Sequence, residues 1–273
     1  MTKSILNIEQ ISLAFGGVKA LTDVSFSVKQ GSVFSIIGPN GAGKTSMLNC
    51  ISGRYRPNSG KISFDGKDVT SLRPNDRADL GMGRTFQNLA LFGHMSVLDN
   101  IMVGRHHLLK NNWLTGPLYW ASGAQKEELA HRRKVEEVID FLEISHIRKS
   151  VAGTLSYGLR KRVELARAMA LNPKLILLDE PMAGMNLEEK EDMARYILDL
   201  NEEFGITVVM IEHDMGVVMD ISHEVMVLDF GKKLISGLPD EVMADPYVKR
   251  AYLGLEEEAD EAETSQVKLE EVS

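Results

Sequence analysis

Apolar and polar positions alternate through the first thirty residues. Leu6, Ile8, Ile11 and Leu13, then Val24, Phe26 and Val28, recur at every second or third position, with Gly16 and Gly17 between the two runs. A side-chain period of two belongs to a strand with one dry face and one wet face, so this stretch predicts short half-buried strands in a small antiparallel layer. From Val33 to Ile37 the alternation gives way to a continuous apolar run that ends in a glycine-rich turn. A strand covered on both faces reads this way, and it marks the start of an α/β core with a parallel sheet. Similar runs at 175–178, 206–211 and 225–228, separated by helical stretches such as Leu187–Phe204, extend the rhythm into a doubly wound sheet. Between about 88 and 170 the rhythm stops and helical candidates dominate, among them 125–142, which predicts a helical subdomain inserted into the core.

Composition narrows the class. With 273 residues, 44% apolar and 26% charged, the chain can bury one large core with a smaller appendage. Its apolar runs fall far short of the roughly 20 residues that cross a bilayer, and the N-terminus shows no signal-peptide pattern. The chain is therefore expected to be neither exported nor membrane-spanning by itself. Its single cysteine, Cys50, excludes an internal disulfide and a cysteine-rich metal site, and its place on a predicted helix favours burial. The net charge of −8 is uneven: residues 255–273 hold eight acidic side chains against one lysine, leaving the body close to neutral. That tail is expected to be solvated and disordered, and a neutral body exerts no long-range pull on phosphate backbones, so no nucleic-acid partner is expected.

The chemistry starts at Gly38-Pro39-Asn40-Gly41-Ala42-Gly43-Lys44-Thr45, followed by Ser46. This is G-x-x-x-x-G-K-[ST], placed after an apolar strand and before a predicted helix, where a phosphate-binding loop must sit. Glycines let successive N–H groups turn towards phosphate oxygens, and the helix that follows adds its positive end. Lys44 supplies a mobile charge for the β- and γ-phosphates, and Thr45 a hydroxyl for Mg2+. A second signal is the apolar strand that ends in Asp179 and Glu180. Alone, Asp-Glu-Pro is a charged strand end with a turn. Downstream of a phosphate loop, Asp179 reads as the residue that holds Mg2+ through water, and Glu180 as the group that polarises the attacking water. The third signal is Leu155-Ser156-Tyr157-Gly158-Leu159, a polar cap that opens an amphipathic helix.

Together these three motifs resemble the ATP-binding subunits of ABC transporters, with Ser156-Tyr157-Gly158 matching the signature written LSGGQ. The resemblance runs from about residue 5 to residue 254. It implies a P-loop NTPase core with a mostly parallel sheet, an N-terminal antiparallel β layer and an inserted helical subdomain, all within one ATP-binding domain over 1–254. It places Phe15 as the aromatic stacked on adenine, Gln87 in Arg84-Thr85-Phe86-Gln87 as a sensor of Mg2+ and the channel, and His213 against the γ-phosphate. Taken singly, Phe15 fits turn packing, Gln87 a surface position and His213 a strand end; their joint order carries the assignment. Leu159 stands where the signature has glutamine and Asn186 where the next loop has aspartate. Tyr157, Ala183-Gly184-Met185-Asn186, Arg84-Thr85-Phe86-Gln87, Ile211-Glu212-His213-Asp214-Met215 and the ending Ala251-Tyr252-Leu253-Gly254 resemble the ATPases of branched-chain amino acid importers.

By this resemblance the catalytic set is Lys44, Gln87, Glu180 and His213. Nucleotide contacts fall to Phe15, Gly38, Asn40, Gly41, Ala42, Gly43, Lys44, Thr45, Ser46, Ser156 and Gly158, and the metal contacts to Thr45, Gln87 and Asp179. The cofactors implied are ATP and Mg2+. The signature of one subunit closes over nucleotide held by another, so the implied partners are a second ATPase subunit, identical or related, permease subunits and an external solute-binding protein. The chain would then sit at the cytoplasmic face of the membrane, held there by the permease. The aromatic loop 108–122, with Trp113, Pro117, Tyr119 and Trp120, fits partner docking or a packed lid. Two other readings stay open. One is the ATPase of a lipopolysaccharide exporter, which has a similar Tyr-Leu-Gly ending; the other is a soluble ABC ATPase acting on nucleic acid, against which stand the lack of heptads and of an internal repeat.

Overall fold

A computed structural model of the protein describes residues 3–85, 91–108 and 124–250. The alternating start forms two antiparallel strands, β1 (Ser4–Phe15) and β2 (Val18–Lys29), each of 12 residues and longer than the short strands expected. Their apolar positions step from 8 to 11, which breaks the period of two. The register of β1 against β2 slips between Ile8 and Ile11, and Gln10 there takes a left-handed φ of 52°. The extra residue is a bulge that returns Ile11 and Leu13 to the buried face. Four further elements follow: the fully buried β3 (Val33–Ile37), the helix α1 (Lys44–Ile51), and the pair β4 (Ser59–Phe64) and β5 (Lys67–Asp68). The last two complete an antiparallel sheet of order β2-β1-β4-β5.

The second sheet contains β3 with β6 (Met82–Arg84), β7 (Leu175–Asp179), β8 (Thr207–Ile211), β9 (Glu224–Asp229) and β10 (Lys232–Gly237), in the order β10-β9-β3-β8-β7-β6. All its pairings are parallel except β10 with β9. Its apolar runs are continuous because alternate residues enter different cores. Phe34, Ile36, Leu175, Leu177, Val209 and Met226 pack with Met47, Leu48 and Ile51 of α1 against the antiparallel layer. Val33, Ile37, Ile176, Leu178, Val208 and Val225 pack against helices on the opposite face. With side chains of a parallel strand buried on both sides, polar residues no longer mark every second position.

The helix α2 (Pro74–Asp79) lies just upstream of β6, and between β6 and β7 come α3 (Val97–Val103), α4 (Ala124–Phe141) and α5 (Tyr157–Met169). Val97, Ile101, Val135, Ile139, Val163 and Met169 join α3, α4 and α5 to the helix-side core. Buried Asn100 shapes the approach to α3: its amide accepts the Phe92 N–H and donates to the carbonyls of Phe92, Met95 and Ser96. The helix α6 (Leu187–Phe204) matches the sequence expectation at both ends. Asn186 and Glu189 cap it reciprocally, and Gly205 closes it at a left-handed φ of 63°. Two short helices, α7 (Met215–Ile221) and α8 (Pro239–Ala244), flank the last strands. No described helix is long and apolar enough to cross a membrane. The expectations for Gln87, for most of loop 108–122 and for the tail 255–273 lie outside the described residues.

The C-terminus of α1 is closed by an arginine from α2. Arg77, 1% exposed, donates to the carbonyls of Cys50 (2.7 Å), Ile51 (2.6 Å), Leu72 (3.1 Å) and Thr70 (3.2 Å). A cation on orphan helix carbonyls satisfies both the acceptors and the helix dipole. Beside it the buried Cys50 thiol is pushed up to about 11 by burial, opposed by Arg77.

Two outcomes follow from this packing. Leu177→Ala is expected to lower unfolding free energy by about 2–5 kcal/mol in a urea titration. At pH 8, three units below its raised pKa, only about one Cys50 thiol in a thousand is ionised. Disulfide reagent should therefore react slowly with the native chain and rapidly once denaturant exposes it.

Candidate active site

The loop 38–43 leaves the C-terminal end of β3 and turns directly into α1. Its shape is set by how little room surrounds it. A Cβ on Gly38 would lie 2.0 Å from the Leu228 carbonyl oxygen at the end of β9, and one on Gly43 2.6 Å from the Ala20 carbonyl oxygen in β2. Gly38, Gly41 and Gly43 also take φ of 152°, 82° and 101°, values that side chains disfavour. The turn after β9 completes the clamp: the Gly231 N–H donates to Ala42 O at 2.9 Å and the Thr22 N–H to Gly231 O at 2.8 Å. Both sheets therefore hold the loop.

Above it lies a cavity of about 350 Å³, lined by Val18, Lys19, Ala20, residues 40–46 and Glu180. The N-cap of α1 is Gly43, which has no side chain to occupy the first amides of the helix, so these donors remain for an anion. Lys44 is 5% exposed, and its ammonium donates to Gly38 O at 2.6 Å and Pro39 O at 3.0 Å. Burial pulls its pKa below that of an ordinary lysine, while Glu180 and Asp179 pull it back up.

Asp179 and Glu180 sit where β7 ends. Asp179 pairs in register with Ile211 of the parallel β8, and the Glu180 N–H donates to Ile211 O at 3.0 Å. The residues just past both strand ends therefore meet side by side, and His213 Nε2 comes within 2.8 Å of Glu180 Oε1. Glu180 holds a left-handed φ of 50°, a strained backbone of the kind kept where surroundings impose it. Between the two stands Glu212, 3% exposed, which accepts the Met182 N–H at 2.8 Å and the His213 N–H at 3.1 Å. Burial raises its pKa, against the pull of those amides. It pins the backbone on both sides of the Glu180–His213 pair.

Asp179 is 1% exposed. Its Oδ2 accepts from Arg84 Nη2 at 3.2 Å, and its Oδ1 has no hydrogen-bond partner among the described residues. Burial drives its pKa up, with Arg84 opposing. A free buried carboxylate oxygen and the Thr45 hydroxyl at the cavity fit a hard cation such as Mg2+.

Ser156 caps α5, accepting the Leu159 N–H at 3.4 Å, and neither Ser156 nor Gly158 lines the cavity of its own chain. The start of α5 is instead joined to the segment after Glu180. The Tyr157 ring lies against Gly184, where a Cβ would stand 3.2 Å from Cε1, and Glu189 Oε1 occupies the space a Cβ on Gly158 would need, 2.3 Å away. Lys161 Nζ donates to Glu180 O at 3.2 Å. Leu159 packs against the helix-side core, and Asn186 serves as the α6 cap. Phe15 is 48% exposed at the end of β1, with its ring edge-on to Tyr55, and is not among the residues lining the cavity.

Sequence reasoning missed Val18, Lys19 and Ala20, which reach the cavity only because β2 folds over the loop. It also gave no role to Arg84, Lys161, Glu189 or Glu212. The signal for Glu212 was present as a charge directly after an apolar strand; the others depend on contacts across the fold.

Comparison with known proteins agrees with the geometry. The family model described as ABC transporter matches residues 21–183. The high-affinity branched-chain amino acid transport ATP-binding protein BraF of Pseudomonas aeruginosa is 37% identical over 254 residues, 93% of this chain and 99% of BraF. The lipopolysaccharide export system ATP-binding protein LptB of Haemophilus influenzae is 36% identical over 251 residues, 92% of this chain and 98% of LptB. A crystal structure of an ATP-binding cassette of an ABC transporter in its ADP conformation superposes with a TM-score of 0.80 at 34% identity, covering 93% of this chain and all of that one.

Gly43→Ala is expected to abolish measurable binding of a fluorescent ATP analogue, because the new methyl meets the Ala20 carbonyl. Gly31→Ala, also at positive φ but with nothing within 4 Å, should keep nucleotide binding and lose only about 1–3 kcal/mol of stability to backbone strain.

Proposed function

The chain belongs to the ABC transporter family, and on that premise we propose that it is the ATP-hydrolysing subunit of an importer for branched-chain or other small apolar amino acids. Hydrolysis rests on one observation above the rest: Glu180, held by His213, lines the same cavity as the phosphate loop and Lys44. The solute class rests on near full-length similarity to BraF.

In this reading the ATP phosphates lie over residues 38–46, and the Lys44 ammonium moves from the Gly38 and Pro39 carbonyls onto the β- and γ-phosphate oxygens. Thr45 and Asp179, with Gln87, would hold Mg2+, which when bound would supply positive charge to offset that of the phosphates. Glu180 takes a proton from water as its oxygen attacks the γ-phosphorus in line. The bond to the bridging oxygen breaks, and ADP leaves with the electron pair. His213 orients the Glu180 carboxylate and faces the γ-phosphate.

Ser156 and Gly158 do not reach their own cavity, so each site is completed by the start of α5 from a second ATPase subunit, whose helix amides and Ser156 hydroxyl take the γ-phosphate. ATP then joins the two subunits, and loss of the γ-phosphate parts them. The permease has a place to dock. A groove of about 580 Å³, lined by Pro74, Ala78, Met82, Phe92, Val103 and Leu171 with Arg84 and Arg167, flanks both ends of the Gln87 segment. An apolar cytoplasmic segment of the permease would fill it, and the ATPase would then lie at the cytoplasmic face of the membrane, with an external binding protein delivering solute. Export in the manner of LptB is the second reading, supported by a similar identity.

Glu180→Gln is expected to keep ATP affinity, accumulate an ATP-bound dimer in size-exclusion chromatography and lose about 10²–10⁴-fold in turnover. Near-normal turnover of that variant in the permease complex would remove Glu180 as the base. Affinity capture from detergent-solubilised membranes should recover a multispan permease and a second ATPase; recovery of lipopolysaccharide-transport partners would favour export.

A further inference from the structure

One charged side chain on β6 touches three parts of the molecule that the mechanism needs to act together. Arg84 is nine-tenths buried. Its Nη1 donates to Asn49 Oδ1 at 2.8 Å and Ser52 Oγ at 2.6 Å, both at the last turn of α1, the helix that begins at the phosphate loop. Its Nη2 donates to Asp179 Oδ2 at 3.2 Å. Arg84 and Ser52 both line the apolar groove.

We propose that Arg84 is a positioning residue that sets Asp179 for Mg2+ and carries occupancy of the groove to that carboxylate. The groove half rests on the docking reading given above. The guanidinium is a rigid plane, so its two nitrogens cannot move independently. With Nη1 fastened to α1 and Nη2 to β7, it commits Asp179 Oδ2 and leaves Oδ1, the oxygen without a partner, facing no competitor among the described residues. A segment entering the groove presses on Arg84 and Ser52 together and thereby turns the fork that orients Asp179. Lysine carries the same charge but has one nitrogen on a flexible stem, and cannot span Asn49, Ser52 and Asp179 at once. Residues that orient a metal ligand typically affect metal affinity about 10–100-fold.

The test uses the full-length chain with a fluorescent ATP analogue, titrated in EDTA and again in Mg2+, and Mn2+ as an electron paramagnetic resonance probe of the metal site. Arg84→Met and Arg84→Lys are expected to bind nucleotide in EDTA like the parent. Both should bind Mn2+ in the presence of ATP about tenfold or more weakly. A parent-like Mn2+ affinity in either variant overturns the positioning role, and the lysine variant keeps the test decisive if the methionine variant does not fold. In the reconstituted permease complex, Arg84→Lys should remain bound to the permease but lose the solute-stimulated rise in ATPase rate; stimulation equal to the parent overturns transmission. Ala78→Trp, which fills the groove, should lose the permease on detergent purification. Undiminished co-purification refutes docking in this groove, and transmission with it, while the Mn2+ result for Arg84 stands by itself.

Discussion

Two backbone carbonyls, of Leu228 and Ala20, stand so close to the phosphate loop that its first and last glycines have no space for a side chain. The first belongs to the parallel sheet and the second to the antiparallel layer. The loop is thus the place where the two sheets are brought together, and its curvature, the direction of α1 and the position of Lys44 all follow from that meeting. A phosphate site made of amides depends on such fixation, since backbone donors cannot rotate to find their ligand as side chains do.

The carboxylate side of the site is built on a different device, the ladder between β7 and β8. In a parallel pair the strand ends lie level, so the residues just beyond them are neighbours although more than thirty positions separate them in the chain. That register brings Glu180 to His213 and places buried Glu212 where it can hold the peptide on each side. The strained φ of Glu180 is supported by these contacts and by Lys161 from α5. Glu180, His213 and the start of α5 are consequently one connected unit.

That connection gives meaning to the two departures from the usual signature pattern. Leu159 adds to the helix-side core and Asn186 caps α6. Between them, Tyr157 rests on Gly184, and Glu189 fills the space beside Gly158. The opening of α5 is tied to the segment that follows Glu180, so Ser156 and Gly158 lie on a surface already joined to that carboxylate.

The chain's chemistry was legible in its sequence because a few contiguous segments carry it. The run from Gly38 to Thr45 encodes turn, amides and charge within eight residues, and the change from alternating to continuous apolar runs marks which strands have one covered face and which have two. The helix α6 could be bounded to the residue because its caps, Asn186, Glu189 and Gly205, are local. What tertiary structure decided is where residues distant in the chain meet. The bulge at Gln10, the lining contributed by Val18 to Ala20, the buried Arg77 over the end of α1 and the fork of Arg84 between Asn49, Ser52 and Asp179 have no periodic or motif signature. A side chain's partners across a fold are fixed by strand order and packing, and neither is written into the spacing of neighbours along the chain.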